Sequence, residues 1–272
     1  MPATLLIVGG GRMGSALLGG LRKAAWAPDD ALGVIELQDE RRAELALHFP
    51  GILISAVPER GMLADDGDRL AGVVLAVKPE AAETACRALG AAGVRRVLSI
   101  VAGMPSARLE AALGGEPVVI RAMPNTPALV GAGVTAISGG SHATSADLAW
   151  AEDVMSAVGT VVRLPERLQD PVTGLSGSGP AYFFLVVEAL MEAGVQMGLT
   201  REVSRELVVW TMLGSAMLLT ETGEDPGTLR AMVTSPAGTT AAGIRALEFR
   251  AVRSAFMEAV AAATERARAL QR

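Results

Sequence analysis

The N-terminal stretch restricts the fold more than any other part of this chain. Leu5-Leu6-Ile7-Val8 is a short apolar run that passes directly into Gly9-Gly10-Gly11-Arg12-Met13-Gly14. Beyond it, Met13, Leu17, Leu18 and Leu21 recur at helical spacing. A strand, a tight glycine turn and a helix are therefore expected in that order. Each glycine has its own reason: Gly9 permits the turn, Gly11 lets a backbone approach a pyrophosphate, and Gly14 lets the helix pack on the strand.

The same alternation continues. Gly33–Leu37, Ile52–Ser55, Gly72–Val77, Arg96–Ile100, Val118–Met123, Val134–Ile137 and Val161–Leu164 read as strands. Arg41–His48, Ser106–Leu113 and Ser145–Val158 read as helices between them. Continuous Val/Ile/Leu runs separated by helices predict a mainly parallel, doubly wound sheet covered on both faces. After Pro165 the strand signals stop. Pro180–Gly198, Arg201–Leu219 and Arg250–Leu270 read as helices, with Thr200 as an N-cap and Asp225-Pro226 opening a further one. The fold class expected is α/β followed by all-α, with domains at 1–165 and 166–272.

Half of the 272 residues are apolar and only 19% are charged. So apolar a balance favours helices that bury a second face against another subunit. A net charge of −5 argues against a nucleic-acid partner, which calls for a basic face. No apolar run looks long enough to span a bilayer, because the best, Pro180–Val187, meets Glu188. The first residues carry no basic segment typical of a secretory leader, so a cytoplasmic protein is expected. Cys86, the single cysteine, reads as a small buried hydrophobe. His48 and His142 read as structural or solvated, and no His/Cys/Asp/Glu grouping has metal spacing.

Glu36 stands at the end of the second strand, at the interval where an acid bonds the adenosine ribose of a dinucleotide. A carboxylate there argues for NAD. Arg12, Arg41 and Arg42 are cations within reach of a 2′-phosphate and leave NADP open.

A second informative stretch lies far downstream, at Met232–Glu248. Ser235, Gly238, Thr239 and Thr240 crowd hydroxyls and free N–H groups into a turn that opens a helix. A helix N-terminus so furnished is an anion site, sized here for a small carboxylate. Capping alone needs fewer hydroxyls.

Five motifs in order, Gly9–Gly14, Val77-Lys78-Pro79, Arg121–Pro127, Gly177–Tyr182 and Ser235–Thr240, identify a chain that resembles the pyrroline-5-carboxylate reductases over nearly its whole length. The resemblance implies an oxidoreductase that reduces the cyclic imine 1-pyrroline-5-carboxylate to L-proline with NADPH or NADH, the last step of proline biosynthesis. It implies a Rossmann domain joined to a helical dimerisation domain, with homodimers that assemble into decamers. By matching motif, Gly9, Gly11, Met13 and Gly14 cradle the cofactor pyrophosphate. Ala76, Val77, Lys78 and Pro79 line the nicotinamide side, with Pro124 and Asn125 near cofactor and imine. Ser235, Gly238, Thr239 and Thr240 hold the imino acid, and Ser235 and Thr240 are the catalytic candidates. The chain departs from the family in having Arg12 where Asn is common, Ala237 where Gly is common, and Glu36-Leu37-Gln38 where many members carry a Ser/Asn/Arg cluster.

Hydride transfer to a protonated imine asks mainly for positioning. Thr240 is the expected partner of the ring nitrogen, as an orienter rather than an acid. Three motif residues have plainer readings as well: Lys78 as the end of a strand at Pro79, Gly177–Pro180 as a loop before a buried helix, and Arg121 as half of an internal ion pair. The nearest rival, a β-hydroxyacid dehydrogenase of the 6-phosphogluconate type, resembles its relatives in taking a lysine acid/base from the helical domain. Here the lysines are Lys23 and Lys78 alone, both in the first domain. An imine reductase for another cyclic substrate and a non-catalytic dinucleotide sensor are the remaining alternatives.

Overall fold

The computed structural model describes residues 2–64 and 70–270. By its contacts the chain forms two compact units. One comprises the chain up to Ser178 together with the segment from Ala262 onward; the other is Gly179–Ala261. Residues 166–178 thus stay with the sheet rather than with the helices that follow. Gln169 is one reason: it is buried, and its side-chain amide donates to Ser138 Oγ at 2.8 Å.

The first unit is built on eight strands: β1 (Leu5–Val8), β2 (Leu32–Ile35), β3 (Leu53–Ser55), β4 (Gly72–Leu75), β5 (Arg96–Ser99), β6 (Val118–Met123), β7 (Gly133–Gly139) and β8 (Gly159–Arg163). Their order is β3-β2-β1-β4-β5-β6-β7-β8. Neighbours are parallel except β6 and β7. The chain order reverses at β1, which pairs with both β2 and β4. In open sheets that reversal leaves a crevice at the carboxyl ends of the strands, where ligands bind.

Helices α1 (Arg12–Lys23), α2 (Asp39–His48), α3 (Pro79–Ala91), α4 (Ser106–Leu113) and α5 (Ser145–Ser156) connect the strands. Period-two alternation sends Leu5 and Ile7 to one face of the sheet and Leu6 and Val8 to the other. The first pair packs with Leu17, Leu18 and Leu21 of α1, Leu45 of α2 and Trp150 of α5. The second packs with Cys86 and Leu89 of α3 and Leu109 of α4. Helices therefore cover both faces, as the doubly wound reading requires. Helix α3 has no counterpart among the expected elements. It buries Ala82, Cys86 and Leu89, and two of those side chains are too small to mark a stripe. Burial, reinforced by the nearby Glu83 carboxylate and only partly offset by Arg87, pushes the Cys86 thiol up to about 11, which makes it the inert hydrophobe expected.

Beyond β8 the chain turns helical through α6 (Gln169–Val172) and a π-turn over Thr173–Gly177. The plainer reading of Gly177–Pro180 as a loop does not hold, because helix α7 (Gly179–Gln196) begins almost at once. The helical run Glu166–Gln196 is long and apolar enough to cross a membrane by length and composition alone. This corrects the sequence expectation, which broke the run at Glu188.

In the second unit follow α8 (Arg201–Thr222), α9 (Pro226–Met232), α10 (Thr239–Phe249) and α11 (Val252–Leu270), the last of which ends in the first unit. Thr200 accepts from Val203 N and Asp225 from Gly227 N, so both expected caps form. Helix α7, buried only in the plainer reading of Gly177–Pro180, leaves Phe183 and Phe184 59% and 62% exposed within one chain. Trp210, Met232 and Phe249 are exposed as well.

Candidate active site

The crevice opens at the carboxyl ends of β1 and β4. Gly9 there has φ +103°, and a Cβ on it would lie 2.4 Å from the carbonyl oxygen of Ala76. A Cβ on Gly14 would lie 2.1 Å from the carbonyl oxygen of Gly9. Both positions therefore need glycine for internal packing. Gly11 does not. Its backbone is extended, at φ −67° and ψ −170°, and a Cβ on it meets nothing within 4 Å. Open space in front of an uncapped helix N-terminus fits an approaching phosphate, so the residues present suit a dinucleotide.

Ala76, Val77, Met13, Met123, Asn125 and Gly177 line a cavity of about 280 Å³ beside that turn. Pro124 joins the lining, and so does Ile100, which the sequence reading passed over. Its signal was its place just past β5, at the same end of the sheet as Val77. Asn125 is buried and its amide is already engaged. Its Oδ1 accepts from Val134 N at 3.0 Å and its Nδ2 donates to Ser176 O at 3.2 Å. The latter bond holds the π-turn that brings Gly177 to the cavity. π-turns leave carbonyls without their usual helical donor and recur at functional sites.

Lys78 and Pro79 stand outside this lining. Strand β4 ends at Leu75, and Pro79 is the first residue of α3 with Lys78 at its N-cap. The proline thus opens a helix, where its missing N–H has no cost, and does not terminate a strand as the plainer reading supposed. Lys78 is exposed.

Glu36 sits just past β2 with both carboxylate oxygens in use. Oε2 accepts from Gly10 N at 2.9 Å and Oε1 from Gln38 N at 3.0 Å. Arg41 donates to Gly10 O at 2.7 Å, to Ser15 Oγ at 2.8 Å and to Glu44 at 2.6 Å. Arg42 donates to the carbonyls of Glu36 and Leu37 and pairs with Asp39. Two of the three cations open to a 2′-phosphate are therefore committed internally. Arg12 is exposed at the first residue of α1 and holds no hydrogen bond among the described residues. Arg121 is the internal partner it was expected to be, paired with Glu166 at 2.9 Å.

In the second unit, Ser235, Gly238, Thr239 and Thr240 come together at the start of α10. Gly238 is the N-cap, and its N–H bonds back to Ser235 O at 3.1 Å. No side chain caps this helix. Among the described residues the hydroxyls of Ser235, Thr239 and Thr240 take no hydrogen bond from the chain, whereas Thr200 and Asp225 cap the helices they precede. Ala237 lies in the left-handed region at φ +59°, a conformation that favours glycine. A Cβ on Gly238 would meet Ser235 Oγ at 2.4 Å.

A glycine turn at a sheet reversal, an apolar cavity beside it and a separate helical unit with an uncapped polar turn define a dinucleotide-dependent oxidoreductase of two units. Residues 4–103 match the family model described as NADP oxidoreductase coenzyme F420-dependent, and residues 166–270 match pyrroline-5-carboxylate reductase dimerisation. The chain is 42% identical to the pyrroline-5-carboxylate reductase of Synechocystis sp., over 99% of each. It superposes on the Coxiella burnetii pyrroline-5-carboxylate reductase with a TM-score of 0.91, at 34% identity and full coverage of both chains. A Plasmodium falciparum pyrroline carboxylate reductase solved with NADP bound gives 0.83 at 30% identity, covering 98% of each chain. The chain belongs to the pyrroline-5-carboxylate reductase family. Its reaction is the reduction of 1-pyrroline-5-carboxylate to L-proline by hydride transfer from NAD(P)H.

Proposed function

We propose that the glycine turn after β1 holds the dinucleotide and the turn at the start of α10 holds the imino acid, and that NADH is the preferred reductant. The dinucleotide lies along Gly9, Gly11, Arg12, Met13 and Gly14, with Glu36 toward the adenosine ribose. Ala76, Val77 and Asn125 border its nicotinamide end, with Lys78 and Pro79 just beyond that lining. The imino acid carboxylate is held by the turn Ser235, Gly238, Thr239 and Thr240. The bound cofactor supplies the hydride. The chain's own groups bind, orient and exclude water, because a protonated imine is already electrophilic. Thr240 orients the ring nitrogen, and Ser235 fixes the carboxylate beside it.

One observation carries the substrate assignment: the start of α10 keeps three hydroxyls and its first N–H groups uncommitted, where a structural cap would spend them. The preference for NADH rests on Glu36, whose carboxylate repels a 2′-phosphate, and on the internal engagement of Arg41 and Arg42. The exposed apolar side chains of α7 and α8 fit a homodimer. Assembly of dimers into decamers is the further step we expect, and the cytoplasm is the compartment. Rates with NADH and NADPH at matched concentrations test the preference. A higher kcat/KM for NADPH would reverse the role given to Glu36.

A further inference from the structure

The peptide group between Gly10 and Gly11 is held in one orientation from behind the cofactor turn. Gly10 O accepts from Arg41 Nε at 2.7 Å and from Ser15 Oγ at 3.0 Å, and a second Arg41 nitrogen donates to that same Ser15 hydroxyl at 2.8 Å. Two donors, one of them charged, therefore converge on a single carbonyl, and each steadies the other. On the other side, Gly10 N–H is drawn to Glu36 Oε2 at 2.9 Å. A Cβ on Gly10 would lie 2.4 Å from Leu45 Cδ1, so a side chain there would require Leu45 to shift.

In a planar trans peptide the carbonyl and the next N–H point in opposite directions, and the described residues contain no cis bond. Fixing Gly10 O toward α2 therefore aims Gly11 N–H the opposite way, on the residue whose Cβ direction is open. We propose that Arg41, acting with Ser15, is a positioning residue for the dinucleotide pyrophosphate: it fixes the Gly10–Gly11 peptide so that Gly11 N–H faces the phosphate oxygens. Arg41 touches no cofactor atom in this account. Its third nitrogen is anchored by Glu44 at 2.6 Å, which keeps the guanidinium on the turn. The proposal rests on the assignment of the glycine turn as the cofactor site.

Arg41→Met, Arg41→Lys, Ser15→Ala, the Arg41→Met/Ser15→Ala double variant and Gly11→Val separate the two. For each, KM for NADH, NADPH and 1-pyrroline-5-carboxylate, kcat at saturation, and inhibition by ADP-ribose are measured, with circular dichroism to check folding. Arg41→Met is expected to raise KM for NADH and the ADP-ribose inhibition constant in parallel, by about tenfold for one charge-assisted hydrogen bond. Its kcat and its KM for the imine stay unchanged. Arg41→Lys keeps the charge but not the fork and recovers only part of the loss. Ser15→Ala adds less to Arg41→Met than it costs alone, since both side chains hold one carbonyl. If Gly11→Val raises the KM for NADH and Arg41→Met does not, the positioning role is wrong and the cofactor site stands. If neither variant changes it, the cofactor site itself is misplaced. A loss confined to NADPH would make Arg41 a 2′-phosphate ligand and overturn the proposal.

Discussion

Arg121 and Glu166 form an ion pair at 2.9 Å in which the arginine is buried and the carboxylate partly so. Glu166 also accepts from both the N–H and the hydroxyl of Ser106. One carboxylate thereby joins the end of β6, the start of α4 and the beginning of the helical run that carries Gly177 to the cavity. Burial works against its charge, but the hydrogen bonds from Ser106 and Arg121 together outweigh burial and hold the carboxyl below the usual range. A lowered folded-state pKa means stability that is present above the ordinary glutamate value, about 4.3, and lost as pH falls through the lowered one.

Glu166→Gln should therefore destabilise the protein near neutrality by about 1–3 kcal/mol, because Arg121 is left buried without its counter-charge. The difference from the parent should shrink as the pH is lowered below about 4. Thermal melts across pH measure both. An equal deficit at every pH would remove the ionised carboxylate from the account.

Thr240→Val keeps shape and removes the hydroxyl. Turnover should fall by about tenfold, the loss of one oriented hydrogen bond at the reacting ring, while KM for NADH is unchanged. Steady-state kinetics identical to the parent would mean that the hydroxyl does not face the imine.

Gly238→Ala places a methyl group against Ser235 Oγ, at 2.4 Å before relaxation. Ser235 has to rotate away from the turn. KM for 1-pyrroline-5-carboxylate should rise by about tenfold, with KM for NADH unchanged. An equal rise in both constants would indicate general damage rather than loss of carboxylate binding.

Trp210 is 65% exposed within one chain, on helix α8 among other bare apolar side chains. Trp210→Asp should break the homodimer and leave the helices folded. Light scattering and far-ultraviolet circular dichroism distinguish the two properties. A variant that keeps its parent mass would place the interface on another face.

Glu36→Ser should raise the NADPH-to-NADH ratio of kcat/KM, chiefly through lost NADH affinity. The carboxylate also orients Gly10 N–H and Gln38 N–H, so its removal loosens the turn for both cofactors. A large gain in absolute NADPH efficiency would contradict that second duty.

Much of this was legible in the sequence, and the exceptions share a physical cause. Leu5–Val8 and Gly9–Gly14 announced the strand, turn and helix because periodicity and glycine placement are local properties. The caps at Thr200 and Asp225 were equally local. Helix α3 was missed because Ala82 and Cys86 bury too little surface to mark a face. The π-turn at Thr173–Gly177 went unseen because a distant side chain, Asn125, helps to hold it. The bracket on Gly10 was invisible for the same reason: Glu36 and Arg41 are remote in sequence and meet only across β1 and β2. The exposed face of α7 fits the intersubunit burial that the apolar composition called for, although composition alone does not say which helix carries it.

The most direct test of the whole account is cofactor absorbance loss on adding 1-pyrroline-5-carboxylate, run side by side with NADH and NADPH. Rapid oxidation of both, with NADH the more efficient, is the predicted result. Higher efficiency with NADPH would contradict the role of Glu36, and no oxidation of either by folded, cofactor-binding protein would contradict the reduction of this imine.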